Sequence, residues 1–194
     1  MQAIETEYAG YRFRSRLEAR WAVFFSELGL DFEYEKEGYQ LSWYTRDGVF
    51  WYLPDFWIPS WNAFVEIKGE EPTENELEKC QALRDGDYGR KGKKVIMFIG
   101  DPMSQKGVWF YNTHKDTAPM WETREIELRQ CSNCDAVWAC SRGYEEDRFM
   151  LKAGERCTEK DGSDCWQSSW DVTDKLLNAM KAARREQFNG GKHV

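Results

Sequence analysis

Two carboxylates and a lysine stand at spacings that suit phosphodiester chemistry: Asp55 in YLPDFWIPS, then Glu66 and Lys68 in NAFVEIKG. Strict alternation along the second segment puts Phe64, Glu66 and Lys68 on one strand face and Ala63, Val65 and Ile67 on the other. Glu66 and Lys68 then lie roughly 6.5 to 7 Å apart along the strand. We place Asp55 in the strand before it, so that the two carboxylates and the lysine converge. Hard divalent ions such as Mg²⁺ prefer carboxylate and carbonyl oxygen, and take one or two protein carboxylates alongside substrate phosphate. Asp55 and Glu66 fit that demand, and a lysine two residues from a ligand can orient water or offset developing anionic charge. Against this stands a plainer reading: Asp55 as a turn acid after Pro54, and Glu66 with Lys68 as a same-face pair of little energetic weight.

The elements that must position these groups are legible in the patterning. Residues 15 to 28, SRLEARWAVFFSEL, set Leu17, Trp21, Phe24, Phe25 and Leu28 on one helical face, closed by Gly29. From Phe32 to Trp61, short aromatic and β-branched runs separated by EKEG, TRDG and PS predict an antiparallel meander. Pro72, Thr73 and Glu76 open a second helix with Leu77, Cys80 and Leu83 as its stripe, stopped by GDYG. KKVIMFIG reads as a buried strand with GVWFYN pairing beside it. The order of helix, strands, helix and strand predicts an α/β sandwich with a mixed central sheet. A last helix, with Asp171 or Thr173 as cap and Val172, Leu176, Leu177, Met180 and Ala183 as its stripe, packs back on the body.

The segment of Pro54-Asp55 followed by Glu66-Ile67-Lys68 resembles the PD-(D/E)xK nuclease superfamily, over residues 10 to 111, about half of the chain. The resemblance implies a restriction-endonuclease-like core and metal-dependent hydrolysis of phosphodiester bonds in nucleic acid, most directly DNA. It further implies that Asp55 and Glu66 bind Mg²⁺ or Mn²⁺, that the Ile67 carbonyl adds a ligand, and that Lys68 positions and activates water. FRSRLEARWAVFF resembles the helix in which many such nucleases carry a further acid, here Glu18. Ser15 and Glu18 also form S-x-x-E, the signature of a capping box, so Glu18 has a second reading as a cap partner.

Of the six cysteines, five fall between Cys131 and Cys165, and Cys131-Ser-Asn-Cys134 is a C-x₂-C knuckle. Absence of a signal-like amino terminus points to a reducing cytoplasm, where metal ligation is favoured over disulfides. Cys131, Cys134, Cys157 and Cys165 are the expected ligands of a structural Zn²⁺, with Cys140 as competitor for one position. Cys80, on the second helix stripe, reads as a core thiol. The expected organisation is a nuclease core over 1–128, a zinc-stapled element over 129–170 and a C-terminal helix and tail over 171–194.

A formal net charge of −7 argues against bulk attraction to a polyanion, so contact with nucleic acid must be local. Arg14 and Arg16 near the first helix, and Arg90, Lys91 and Lys93 on a Gly-punctuated loop, are the candidate phosphate contacts, with solvated surface as the alternative. Most of the ten tryptophans occupy core-like positions, and base stacking is assigned to none. No apolar run reaches the roughly 20 residues that span a bilayer. Two rivals remain open: a nuclease-like scaffold without turnover that binds nucleic acid or a protein partner, as a recombination accessory or counter-defence factor would, and a zinc-stapled interaction protein. A double-strand cutter would call for a homodimer, and the acidic charge for a partner that delivers the substrate.

Overall fold

The computed structural model describes residues 4–43, 47–86, 94–112, 121–131, 137–141, 148–149 and 170–188. A hairpin of β1 (Thr6–Tyr8) and β2 (Tyr11–Phe13) leads into α1 (Arg16–Glu27). Next come β3 (Glu33–Tyr34), β4 (Tyr39–Ser42), β5 (Val49–Tyr52), β6 (Phe56–Ile58) and β7 (Ala63–Lys68). After α2 (Glu74–Asp85), β8 (Lys94–Ile99) and β9 (Lys106–Asn112) complete the part of the sheet around the candidate residues. The chain continues through β10 (Trp121–Cys131), β11 (Val137–Ser141), β12 (Arg148–Phe149) and β13 (Trp170–Asp171) to α3 (Asp174–Arg185).

Among the described residues the main sheet runs β12-β11-β10-β9-β8-β7-β6-β3, with β13 joined to β10. It is mixed: β7 and β8 are parallel and the other pairs are antiparallel. Parallel neighbours need a crossover, and α2 supplies it between β7 and β8. The chain is thus α/β, with a mixed sheet and three helices among the described residues. The sheet runs without a break through residue 128, which lies within β10. Cys131 ends β10 and Cys140 belongs to β11, whereas Cys134, Cys157 and Cys165 lie outside the described residues.

Both faces of β7 and β8 are covered, which is why their sequences read as nearly continuous apolar runs. Ala63, Val65, Ile67, Ile96 and Phe98 pack under α1 and α3, together with Trp21, Phe24, Phe25, Leu176 and Met180. Phe64, Val95 and Met97 pack on the opposite face with Cys80, Leu83, Tyr39 and Leu41. The alternation expected for residues 63 to 68 therefore holds, and Glu66 belongs to the face beneath α2.

The helix starts follow their side chains. Ser15 accepts from the Glu18 amide at 3.2 Å, Thr73 and Glu76 close a reciprocal capping box, and Thr173 rather than Asp171 caps α3, accepting from Leu176. Each such cap satisfies a backbone donor left over by helix geometry.

The expected meander is corrected in two places. β4 and β5 form a separate two-stranded hairpin, and β3 pairs not with β4 but with β6. VFWYLPDFWI is not one strand because Pro54 has no amide to donate and the chain bends there, so the two halves join different sheets. Asp55 accordingly sits in the bend ahead of β6, not within a strand.

Candidate functional site

The bend at Asp55 is what brings its carboxylate to β7. The β6–β7 ladder ends at Phe56–Val65, and beyond it Asp55 Oδ2 accepts the Ile67 amide at 2.7 Å while Glu35 donates its amide to the Asp55 carbonyl at 2.9 Å. Asp55 and Glu66 are both buried. With Glu18, Lys68, Arg14, Glu76, Lys79, Trp51, Tyr52, Leu53 and Ile67 they line one cavity of about 470 Å³. The sequence-derived set of Glu18, Asp55, Glu66, Ile67 and Lys68 is thus gathered in one place, from α1, the Asp55 bend and β7.

Two ion-pair groups neutralise the buried acids. Arg14 reaches Asp55 Oδ1 at 2.8 Å and Glu35 Oε1 at 2.6 Å, with its side chain more than half exposed. Lys68 Nζ lies 2.9 Å from Glu66 Oε1 and 3.0 Å from Glu76 Oε1. Glu66 Oε2 is enclosed with no well-formed hydrogen bond. A buried carboxylate oxygen left this way carries a desolvation cost that a bound cation would remove.

Burial, followed by the charges of Glu66 and Glu18, pushes the Asp55 carboxyl well above the usual range, and the Ile67 amide and Arg14 only partly oppose this. Burial and the neighbouring acids thus outweigh the Arg14 guanidinium beside it. Burial works against the Lys68 ammonium, but Glu66 and Glu76 more than offset it and raise its pKa above the ordinary lysine value. Lys68 is consequently a standing cation at neutral pH and not a base.

Glu18, the third residue of α1, stands beside the Ser15 cap and in the cavity wall, but its carboxylate takes the Ser15 hydroxyl and not the Ser15 amide that a reciprocal capping box uses. Ser15 donates to Oε1 at 2.6 Å and the Tyr34 hydroxyl to Oε2 at 2.5 Å. Tyr34 in turn accepts the Arg14 amide at 3.0 Å and is wedged against Phe13 with ring centroids 4.5 Å apart. Both oxygens of Glu18 are thus engaged, and burial together with Glu18 raises the Tyr34 pKa, which keeps the phenol a donor.

Arg16 is exposed at the start of α1 and does not line the cavity. Arg90, Lys91 and Lys93 lie outside the described residues, as does most of the proposed zinc set. Cys80 is buried, with its Sγ 3.3 Å from the Tyr52 hydroxyl, and burial and the nearby Glu66 push the thiol up. It is an inert core group, as its place on the helix stripe suggested.

Sequence reasoning missed Glu76, Lys79, Trp51, Tyr52 and Leu53 as cavity residues. The sequence pattern marks Glu76 only as a helix opener, although just five residues separate the end of β7 from the start of α2, close enough to return its first turn over Lys68. Burial opposes the Glu76 anion, but the Thr73 amide, the Thr73 hydroxyl and Lys68 bring its pKa down to about 2. A carboxylate with a lowered folded-state pKa contributes stability that is present above its unfolded value and lost as pH falls through the folded one. Glu76→Gln is therefore expected to cost about 1 kcal/mol at neutral pH, the usual scale for a disrupted cap. The deficit should shrink as pH falls from about 4.5 towards about 2, measured by urea denaturation across that window.

No family model, curated protein or solved structure matches the chain. The function therefore has to be argued from the cavity. Among the described residues no three His, Cys, Asp or Glu side chains gather as a metal-holding group. Asp55 and Glu66 are a pair, with Glu18 held by Ser15 and Tyr34. Two buried carboxylates of hard oxygen on one cavity suit Mg²⁺ or Mn²⁺, which keep waters and bind few protein groups. Among the described residues no helix is long and apolar enough to cross a membrane.

Proposed function

We propose that this chain is a metal-dependent nuclease that hydrolyses phosphodiester bonds in DNA, built on a restriction-endonuclease-like core of the PD-(D/E)xK kind. The observation that carries the reading is Glu66, a buried acid held by Lys68 and within reach of the Tyr52 hydroxyl, facing the same cavity as Asp55. The cavity wall holds four carboxylates against three cationic side chains, so a divalent ion would turn its formal charge from −1 to +1 and admit a phosphate.

Asp55, Glu66 and the Ile67 carbonyl would hold Mg²⁺ or Mn²⁺, which when bound polarises a phosphoryl oxygen and lowers the pKa of a water. Lys68, kept charged by Glu66 and Glu76, faces the developing negative charge and holds the attacking water by hydrogen bonding. The Asp55–Ile67 amide bond fixes the carboxylate against β7 before any substrate arrives. Arg14, more than half exposed and held by Asp55, Glu35 and Tyr34, could exchange its bond to Asp55 for one to a phosphate. Glu18, clamped by Ser15 and Tyr34, acts as the rigid edge of the acidic wall.

A second reading rests on the same ion pairs. Arg14 and Lys68 already neutralise the acids, as they would in a scaffold that binds without turnover. Metal binding separates the two. An ion at ten times its dissociation constant adds about 1.4 kcal/mol to stability, roughly 3–6 °C in melting temperature for a chain of this size. Millimolar Mg²⁺ or Mn²⁺ should give the wild type such a shift and give Asp55→Asn none. Equal curves for both proteins, with and without the ion, would favour the binding scaffold.

A further inference from the structure

Among the described residues the exposed large hydrophobic side chains are Ile4, Val49, Trp51 and Leu53, and three of these four form one strip along and just beyond β5. Alternation explains the strip: Phe50 and Tyr52 turn inward against the core beneath α2, so Val49, Trp51 and Leu53 must turn out. Trp51 is 74% exposed, the most open of them. Indole exposed to this degree carries a hydrophobic cost that nothing in its own hairpin repays.

The strip is continuous with the candidate site. Trp51 and Leu53 line the same cavity as Asp55, Glu66 and Lys68, and four residues of extended chain put Trp51 within about 13 Å of Asp55. The indole lies over the Gly38 backbone. Trp51 pairs with Gln40 across the hairpin, and Gly38 beside it has no side chain, so that a methyl built there would touch Trp51 Cε3 at 3.7 Å. Among the described residues no other aromatic ring stacks on it.

From this juxtaposition of a charged floor and an open aromatic wall, we propose that Trp51 is a stacking platform for an unpaired base of the strand whose phosphate occupies the Asp55–Glu66–Lys68 floor. A nucleic-acid strand offers those two chemistries within that reach: an anionic phosphate for Arg14, Lys68 and Lys79, and an apolar face for the indole, with Leu53 beside it. Any base offers a π-face, so the platform selects for single-stranded or frayed nucleic acid and not for a sequence. A base inside a duplex is stacked on both sides and is not available to the indole. The inference rests on the nuclease reading and adds the substrate's strandedness to it.

Trp51→Ala and Trp51→Phe should both fold, since the side chain is exposed, and each should keep the Mg²⁺-dependent melting shift. Binding is read by fluorescence anisotropy in the Glu66→Gln background with Mg²⁺ present, so that the strand is held and not cut. The probes are a labelled single-stranded oligodeoxynucleotide, the same length carrying consecutive abasic sites, and the blunt duplex. Trp51→Ala is expected to weaken single-strand binding about tenfold and Trp51→Phe by less than about threefold, with no change for the abasic probe or the duplex. Equal affinities of Trp51→Ala and its parent for the single strand would overturn the platform, as would an equal loss on the abasic probe, while wild-type cleavage with Mg²⁺ left the nuclease reading standing. Absence of both cleavage by the wild type and binding of any probe would overturn the two together.

Discussion

Glu66→Gln is expected to cut DNA on the order of 10³-fold more slowly than the wild type while keeping its fold. Loss of one group placed to stabilise transition-state charge costs about 10²–10³-fold, and Glu66 additionally supplies one of only two carboxylates available to the ion. The amide fills the same space, and Lys68 retains Glu76 as a partner. Removing the Glu66 charge also removes the second-largest cause of the raised Asp55 pKa, so Asp55 should ionise at lower pH in the variant. A rate–pH profile set beside a melting curve separates this from a merely damaged fold. Reduced activity with an unchanged melting temperature is the expected pair, and unchanged activity would remove Glu66 from the chemistry.

The second large effect is on stability. Trp21→Ala should cost about 3–5 kcal/mol, as large aromatic truncations in cores do, out of the roughly 5–15 kcal/mol that holds a domain together. Trp21 is fully buried and stacks on Phe98 of β8 with ring centroids 4.4 Å apart. Its indole amine donates to the Gly100 carbonyl at 3.0 Å, while the Gly100 amide donates to the Lys68 carbonyl at 2.7 Å. Gly100, at φ +79°, adopts a conformation that a side chain would strain, so this junction has little room to adjust. One side chain thereby links α1, which carries Glu18, to the end of β7, which carries Lys68. Guanidinium denaturation should show the loss, and Trp21→Phe should recover most of the packing but not the hydrogen bond. A cost below about 1 kcal/mol for Trp21→Ala would mean that α1 is anchored elsewhere.

The parts of this site that were legible in the sequence are those set by local rules. Alternation alone placed Ala63, Val65 and Ile67 opposite Phe64, Glu66 and Lys68, because a buried strand has a period of two whatever it packs against. The stripes and the Thr73 and Thr173 caps were legible for the same reason, since helix period and cap chemistry are short-range. What was hidden depends on partners distant in sequence. Nothing near Asp55 says that its carboxylate will take over where the β6–β7 ladder ends and accept the Ile67 amide. Pro54 signalled a break, but not that the chain would pass from one sheet to another there. The clamp of Tyr34 on Glu18 joins a strand to a helix sixteen residues away, and the bridge of Lys68 to Glu76 depends on where α2 lands. The capping signature at Ser15 and Glu18 looked like a rival to a site role. In the structure the first turn of α1 borders the cavity, so its third residue lies beside the cap and in the wall at once.

The central claim is metal-dependent hydrolysis at the Asp55–Glu66–Lys68 floor. Its most direct test is cleavage of supercoiled plasmid, linear duplex, single-stranded and branched DNA by the full chain with Mg²⁺ or Mn²⁺, beside EDTA and the Asp55→Ala and Lys68→Ala proteins. The account predicts cutting that requires the ion and is lost in both variants. Folded wild-type protein that cuts none of these substrates, or cutting that persists in EDTA or in Asp55→Ala, would contradict it.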